Sequence, residues 1–237
     1  MLSIKNLTKT YKGGKKAVDN LTLDIAAGDI YGFIGHNGAG KTTTIRAIAG
    51  VMEFDQGDIL IDGHSVKKEG IYCKSITAYI PDNPDLYEHL TGIQYLNFIG
   101  DIFQISKIER ENKIKKYADA FEITSNLGDL ISSYSHGMKQ KLALISAFLH
   151  SPKLLLLDEP FVGLDPMAAL VLKNTMRELT KEGCAIFFST HVLDVAEKLC
   201  NKIAIIKNGK LVASGNTLEL TNGNSLEEVF MEVVEHA

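Results

Sequence analysis

No apolar run in this sequence approaches the roughly 20 residues that carry a helix across a bilayer, so the chain is not expected to span a membrane. The opening stretch Met1-Leu2-Ser3-Ile4-Lys5-Asn6 lacks the apolar core of a signal peptide. Cysteine is scarce. Cys73, Cys184 and Cys200 are odd in number, far apart and in no Cys-x-x-Cys pair, which argues against a disulfide framework and for buried thiols in a reducing cytosol. A basic excess is also missing. Lys and Arg number 25 against 29 Asp and Glu, a net charge of −4, so no overall attraction to nucleic acid arises and no nucleic-acid partner is expected. Internal repeats, low-complexity tracts and linkers are absent. What is present, 45% hydrophobic and 23% charged residues in a chain of 237, is the profile of an ordinary globular protein with one large domain or two small lobes.

Short β-branched runs alternate with longer helical patterns, which predicts an α/β architecture. Strands are expected over Leu2 to Leu7, Leu21 to Ile25, Asp29 to Ile34, Asp58 to Ile61 and Ile76 to Ile80, with hairpin turns signalled by Asp62-Gly63 and Asn208-Gly209. From about Asn83 to Ser151 the texture changes. Ile93, Leu96, Ile99 and Gly100 follow helical spacing, as do Ile114, Tyr117, Ala118 and Phe121, and a helix is expected from His136 to Leu149. Strands return at Leu154 to Leu157, Ala185 to Ser189, Ile203 to Ile206 and Lys210 to Ala213, and a helix from Ser225 to Val234 has a capping box in Ser225 and Glu228. The expected organisation is a single domain over 1–237: an α/β core with an antiparallel β region at 1–82 and 152–237, and an inserted helical subdomain at 83–151. With few residues after the last strands, no further regulatory domain is expected.

Gly35-His36-Asn37-Gly38-Ala39-Gly40-Lys41-Thr42 matches the phosphate-loop pattern G-x-x-x-x-G-K-[ST], between an expected strand and an expected helix. A polyphosphate packs several negative charges into a small volume. Backbone N–H groups can surround it only where side chains are absent, and the following helix adds its unpaired N–H groups and positive end. Lys41 supplies a fixed charge at the β- and γ-phosphates. The Thr42 hydroxyl can ligate Mg²⁺, and Thr43 is expected to bind the nucleotide with the rest of the loop.

Leu154-Leu155-Leu156-Leu157-Asp158-Glu159 is an apolar run ending in two carboxylates. A strand buried on both faces explains the leucines, and ligands of parallel sheets bind at strand ends. Asp158 is therefore expected to hold Mg²⁺ and Glu159 to orient or deprotonate an attacking water.

Tyr134-Ser135-His136-Gly137-Met138-Lys139-Gln140-Lys141 opens a helix shortly before that strand. Here the sequence resembles the nucleotide-binding subunits of ABC (ATP-binding cassette) transporters, whose Leu-Ser-Gly-Gly-Gln signature occupies this place. Ser135 and Gly137 are kept, while Tyr134, His136 and Met138 depart from the pattern. A hydroxyl and a bare backbone N–H at a helix N-terminus make a phosphate clamp, and His136 is expected to point off it. The resemblance extends over essentially the whole chain and implies further roles. Tyr11 would stack on adenine. Asp165, in Gly163-Leu164-Asp165, would touch a partner protomer. His191, in Ser189-Thr190-His191, would sense the γ-phosphate. Asp82, after Tyr79-Ile80-Pro81, stands at the position of a family glutamine that reaches Mg²⁺, with Asn83 one register away.

The family mechanism implies two cassettes, identical or paralogous, packed head to tail about two MgATP, with Ser135 and Gly137 of one facing Lys41 of the other. It also implies a membrane-spanning transporter subunit as partner and a peripheral location on the cytoplasmic face of the membrane. The altered signature and the Asp for Gln look more like export-type branches. Other classes fit less well. Soluble ABC ATPases of translation or DNA maintenance usually carry tandem cassettes or a long coiled coil. A GTPase would need an aspartate after Asn201-Lys202-Ile203, where Ala204 stands. A non-hydrolysing regulatory cassette would not need Lys41, Asp158, Glu159 and His191 together.

Overall fold

The computed structural model describes residues 1–236, with side chains through residue 233. Among the described residues the strands form two sheets. Strands β1 (Leu2–Thr10), β2 (Lys16–Ile25), β4 (Gln56–Ile61) and β5 (His64–Ser65) make an antiparallel sheet ordered β2-β1-β4-β5. Strands β3 (Ile30–Ile34), β6 (Thr77–Ile80), β7 (Leu154–Asp158), β8 (Ala185–Thr190), β9 (Lys202–Lys207) and β10 (Lys210–Asn216) make a sheet ordered β10-β9-β3-β8-β7-β6. Its neighbours are parallel except for the edge hairpin β9–β10. Asn208 (φ 49°) and Gly209 (φ 80°) turn that hairpin, and Asp62 (φ 52°) and Gly63 (φ 83°) turn β4 into β5. Positive φ at both central residues is what a two-residue hairpin requires.

Side-chain alternation divides the central strands between two cores. Ile30, Ile34, Leu155, Leu157, Ile186 and Phe188 enter one, together with the helices. Tyr31, Phe33, Leu154, Leu156 and Phe187 enter the other, shared with the antiparallel sheet and α1 (Lys41–Ile48). Each such side chain contributes about 1.5–3 kcal/mol on burial. Four successive leucines therefore anchor β7 between β8 and β6, buried on both faces, and carry Asp158 into the interior with them.

Between β6 and β7 the described residues form helices and no named strand: α3 (Gly92–Ile102), α4 (Lys107–Ala120), α5 (His136–Leu149) and two short 3₁₀ turns. Each helix starts where a hydroxyl accepts an orphan N–H. Thr91 makes a full capping box with Gln94, and Ser106 and Ser135 accept from Glu109 and Met138. Leu96, Ile114, Tyr117, Phe121, Leu142 and Phe148 continue the core on the first face of the sheet. Helices α6 (Pro166–Lys181) and α7 (Leu193–Leu199) alternate with β8 and β9 as expected. The last helix, α9 (Leu226–His236), begins with the Ser225–Glu228 box: Ser225 N–H donates to Glu228 at 2.9 Å and Glu228 N–H to Ser225 at 3.2 Å.

The structure adds to the sequence pattern in a few places. β2 begins at Lys16 rather than Leu21, because its pairing with β1 runs out to Thr10, and β10 runs on to Asn216, because its pairing with β9 reaches Lys202. The one-turn α2 (Gly70–Ser75) buries only Cys73, and α8 (Thr217–Thr221) is equally short, so neither carries an apolar period. Asp29 precedes β3 rather than opening it. The three cysteines are buried, and burial pushes their thiols up, Cys184 to about 12.

Candidate active site

The phosphate loop leaves β3 at its C-terminal end and runs into α1 at Lys41. Gly40 caps α1 with φ +114°, and a Cβ there would lie 2.2 Å from the Ala17 carbonyl oxygen. Only glycine satisfies both conditions. The turn of the β9–β10 hairpin supports the loop from behind, because Gly209 N–H donates to the Ala39 carbonyl at 2.8 Å. Lys41 is buried, and its ammonium donates to the Gly35 carbonyl at 2.7 Å.

A cleft of about 280 Å³ opens beside this loop. It is lined by Asn37, Gly38 and Gly40 to Thr43, by Tyr11, Lys15 and Ala17 from the β1–β2 hairpin, and by Asp82 and Glu159 from just beyond β6 and β7. Tyr11 is half-exposed and its hydroxyl shares a hydrogen bond with Thr43 Oγ1 at 3.1 Å. Asp82 lines the cleft and Asn83 does not. Gly35, His36 and Ala39 stand outside the lining. Ala39 is buried, and the His36 ring sits edge-on to Phe230 of α9 at 5.1 Å.

The two carboxylates after the leucine run are held differently. Asp158 is fully buried at the end of β7, opposite Ser189 in the β7–β8 register. The Ser189 hydroxyl donates to Asp158 Oδ1 at 2.6 Å and accepts from Glu159 N–H at 2.9 Å. Burial pushes the Asp158 carboxyl up; the Ser189 and Thr42 hydroxyls pull it back, and the charges of Asp82 and Glu159 push with burial. Glu159 adopts φ +48°, a left-handed backbone that non-glycine residues rarely take. Its Oε1 lies 3.3 Å from Lys41 Nζ and its Oε2 lies 3.0 Å from His191 Nδ1. Lys41, Glu159 and His191 thus form one polar chain at the edge of the cleft.

A divalent cation fits this donor set. Asp158 Oδ2 is buried without a hydrogen-bond partner, and Thr42 and Asp82 line the cleft nearby. All three offer hard oxygen donors, the kind that Mg²⁺ takes. No cluster of three or more His, Cys, Asp or Glu among the described residues makes a metal cage. The arrangement therefore suits an ion that brings phosphate and water ligands with it.

Ser135, Gly137 and Asp165 lie outside the cleft lining and cluster with one another instead. Ser135 caps α5, accepting Met138 N–H at 3.3 Å. A Cβ on Gly137 would come 2.9 Å from the Gly163 carbonyl, and the His136 ring lies across Gly163. Asp165 caps α6 through Ala168 N–H at 2.8 Å, and Lys141 pairs with it at 2.8 Å. Asn201 and Lys202 have a structural post at the opposite end of β3. Ile30 N–H donates to Asn201 Oδ1 at 2.7 Å, and both side chains bind Asp29. Two contributors carried no signal of their own in the sequence. Ser189 joins both acids only through strand register, and Lys15 reaches the cleft only through the hairpin turn.

Comparison with known proteins agrees with this geometry. The family model described as ABC transporter matches residues 18–162. The uncharacterized ABC transporter ATP-binding protein YhcH of Bacillus subtilis (strain 168) is 40% identical over 90% of this chain and 68% of its own. A solved ATP-binding subunit of an ABC transporter is 34% identical, with a TM-score of 0.94 over 99% of both chains. The dimeric post-hydrolysis ATP-binding cassette MJ0796, bound to ADP and Pi, shares the fold at 23% identity, with a TM-score of 0.80 over 92% of this chain and 99% of that one. The loop, the paired acids, the α/β sheet and these relatives together show that the chain belongs to the ABC transporter family, as an ATP-binding subunit.

Proposed function

We propose that this subunit hydrolyses ATP in the cleft between the phosphate loop and Glu159 and so drives transport through a separate membrane-spanning subunit, in the export direction. The observation that carries this reading is the Glu159 carboxylate, suspended between Lys41 and His191 at the cleft that the loop lines. The loop N–H groups and Lys41 hold the β- and γ-phosphates, and Tyr11 stacks on the adenine. Glu159 orients the attacking water and takes its proton, while His191 holds the other carboxylate oxygen and senses the γ-phosphate. Asp158, Thr42 and Asp82 hold Mg²⁺, which when bound neutralises charge on the phosphate oxygens. Ser189 keeps both acids in place.

Ser135 and Gly137 complete the site from a second cassette, identical or paralogous. Their position outside the cleft lining of their own chain supports this, since a clamp for phosphate at the start of α5 has none of its own cleft to close. The dimeric form of a relative bound to ADP and Pi supports it too. Two nucleotides then favour the closed pair because each touches both chains, and hydrolysis removes that preference. Among the described residues no helix is long and apolar enough to cross a membrane. Tyr87, Phe98 and Ile102 are exposed on and beside α3, an apolar surface suited to the membrane subunit, which would hold this chain on the cytoplasmic face.

Light scattering on the Glu159→Gln variant tests the pairing. Mass should double with MgATP, and adding Ser135→Arg should keep the chain monomeric. Unchanged association in the double variant would argue against the shared site.

A further inference from the structure

Five residues join β1 to β2, and the turn is drawn tight by two backbone bonds. Tyr11 N–H donates to the Lys15 carbonyl at 3.0 Å, and Gly14 N–H donates to the Tyr11 carbonyl at 3.1 Å. This closure holds Tyr11 and Lys15 side by side, and both line the cleft. The cationic residues around them are not equivalent. Lys16 is committed to Asp19 at 3.0 Å. Lys41 lies at the start of α1, engaged by Gly35 and Glu159. Lys12 belongs to the same turn but does not line the cleft. Lys15 lines it, and among the described residues it makes no hydrogen bond or ion pair from its side chain.

An exposed lysine without a partner is ordinarily a solvated surface charge. Here its position makes it more. The cleft carries two carboxylates of its own, Asp82 and Glu159, and Glu159 already engages Lys41. A triphosphate entering the cleft brings several further negative charges, and Lys41 with the loop N–H groups serves their β–γ end. The adenosine end lies at Tyr11, next to which Lys15 is fixed. The phosphate closest to adenosine is the α-phosphate, and an ammonium on a flexible four-carbon stem is a suitable point charge for it.

We propose that Lys15 is a nucleotide-binding residue that contacts the α-phosphate, supplying the cleft with a second positive charge on the adenosine side of Lys41. This rests on the reading of the cleft as the ATP site. Calorimetric titration of the purified chain with ATP, ADP and adenosine, each with Mg²⁺, tests it. Lys15→Gln should weaken ATP and ADP by the same factor, about tenfold, leave adenosine unchanged and leave the melting temperature unchanged. Lys15→Arg should restore both nucleotides, and Lys12→Gln should alter neither. Equal affinities for wild type and Lys15→Gln would overturn the proposal. So would a loss for ATP alone, which would move the contact to the γ-phosphate, and so would a matching loss for adenosine, which would make Lys15 a support for Tyr11. Failure of the wild-type chain to bind ATP, or full ATP binding by Lys41→Ala, would instead overturn the reading of the cleft.

Discussion

Glu159 binds Lys41 through one carboxylate oxygen, at 3.3 Å, and His191 through the other, at 3.0 Å. The loop lysine and the residue at the end of β8 are thereby coupled through one side chain, on a backbone held at φ +48°. A left-handed non-glycine residue costs on the order of 1 kcal/mol or more. The Ser189 hydroxyl that accepts Glu159 N–H helps to hold it there.

Glu159→Gln keeps the size of the side chain and removes its charge and basicity. Steady-state phosphate release should fall about 10²–10⁴-fold, the usual contribution of a positioned base. Titration should show MgATP binding retained, because the loop keeps its N–H groups and Lys41 keeps its charge and its bond to the Gly35 carbonyl. Rapid turnover by this variant would remove Glu159 as the base.

Asp158 is a buried acid whose carboxyl is raised above its ordinary value of 3.8, chiefly by burial. The folded chain therefore binds that proton more tightly than the unfolded chain. The stabilising contribution is complete below pH 3.8 and is lost as pH rises through the raised folded value. At neutral pH the ionised group is a cost. In magnesium-free buffer at pH 7, Asp158→Asn should raise the urea midpoint, with the gain shrinking toward acid pH. Hydrolysis should be lost. A lower midpoint at pH 7 would show that the Ser189 bond outweighs burial.

Asp165 caps α6 and pairs with Lys141, which holds its carboxyl below the usual carboxylate range together with the Ala168 N–H. That contribution is present above the ordinary value and is lost as pH falls through the depressed one. Asp165→Ala should cost about 1 kcal/mol in denaturant melts, the typical loss of a cap. Asp165→Asn keeps a capping oxygen and should recover most of it, since an exposed ion pair adds only about 0–1 kcal/mol. If Asp165→Asn recovered stability yet failed to associate with MgATP, the charge would be acting at the partner.

Local chemistry was legible wherever one segment holds all of it. The loop from Gly35 to Thr42 needs only its own glycines and the strand and helix that flank it. Four leucines before Asp158 announced a strand buried on both faces, and the Ser225–Glu228 box announced α9. Short elements were not legible, because α2 and α8 bury too few residues to show a period. Nor was the grouping of Ser135, Gly137, His136 and Asp165 into one cluster, which depends on the first turns of α5 meeting the segment that leads into α6.

From the residues alone came the phosphate loop, the two acids, the family resemblance and the alternation of strands and helices, because each is written in contiguous spacing and side-chain period. Tertiary structure decided what met what. Ser189 reaches Asp158 because β7 and β8 lie in parallel register, Lys15 reaches the cleft because a hydrogen-bonded turn folds back on Tyr11, and Glu159 spans Lys41 and His191 because three separate segments converge at the strand ends. Contacts between residues distant in sequence follow from packing the whole core, and no local pattern encodes them.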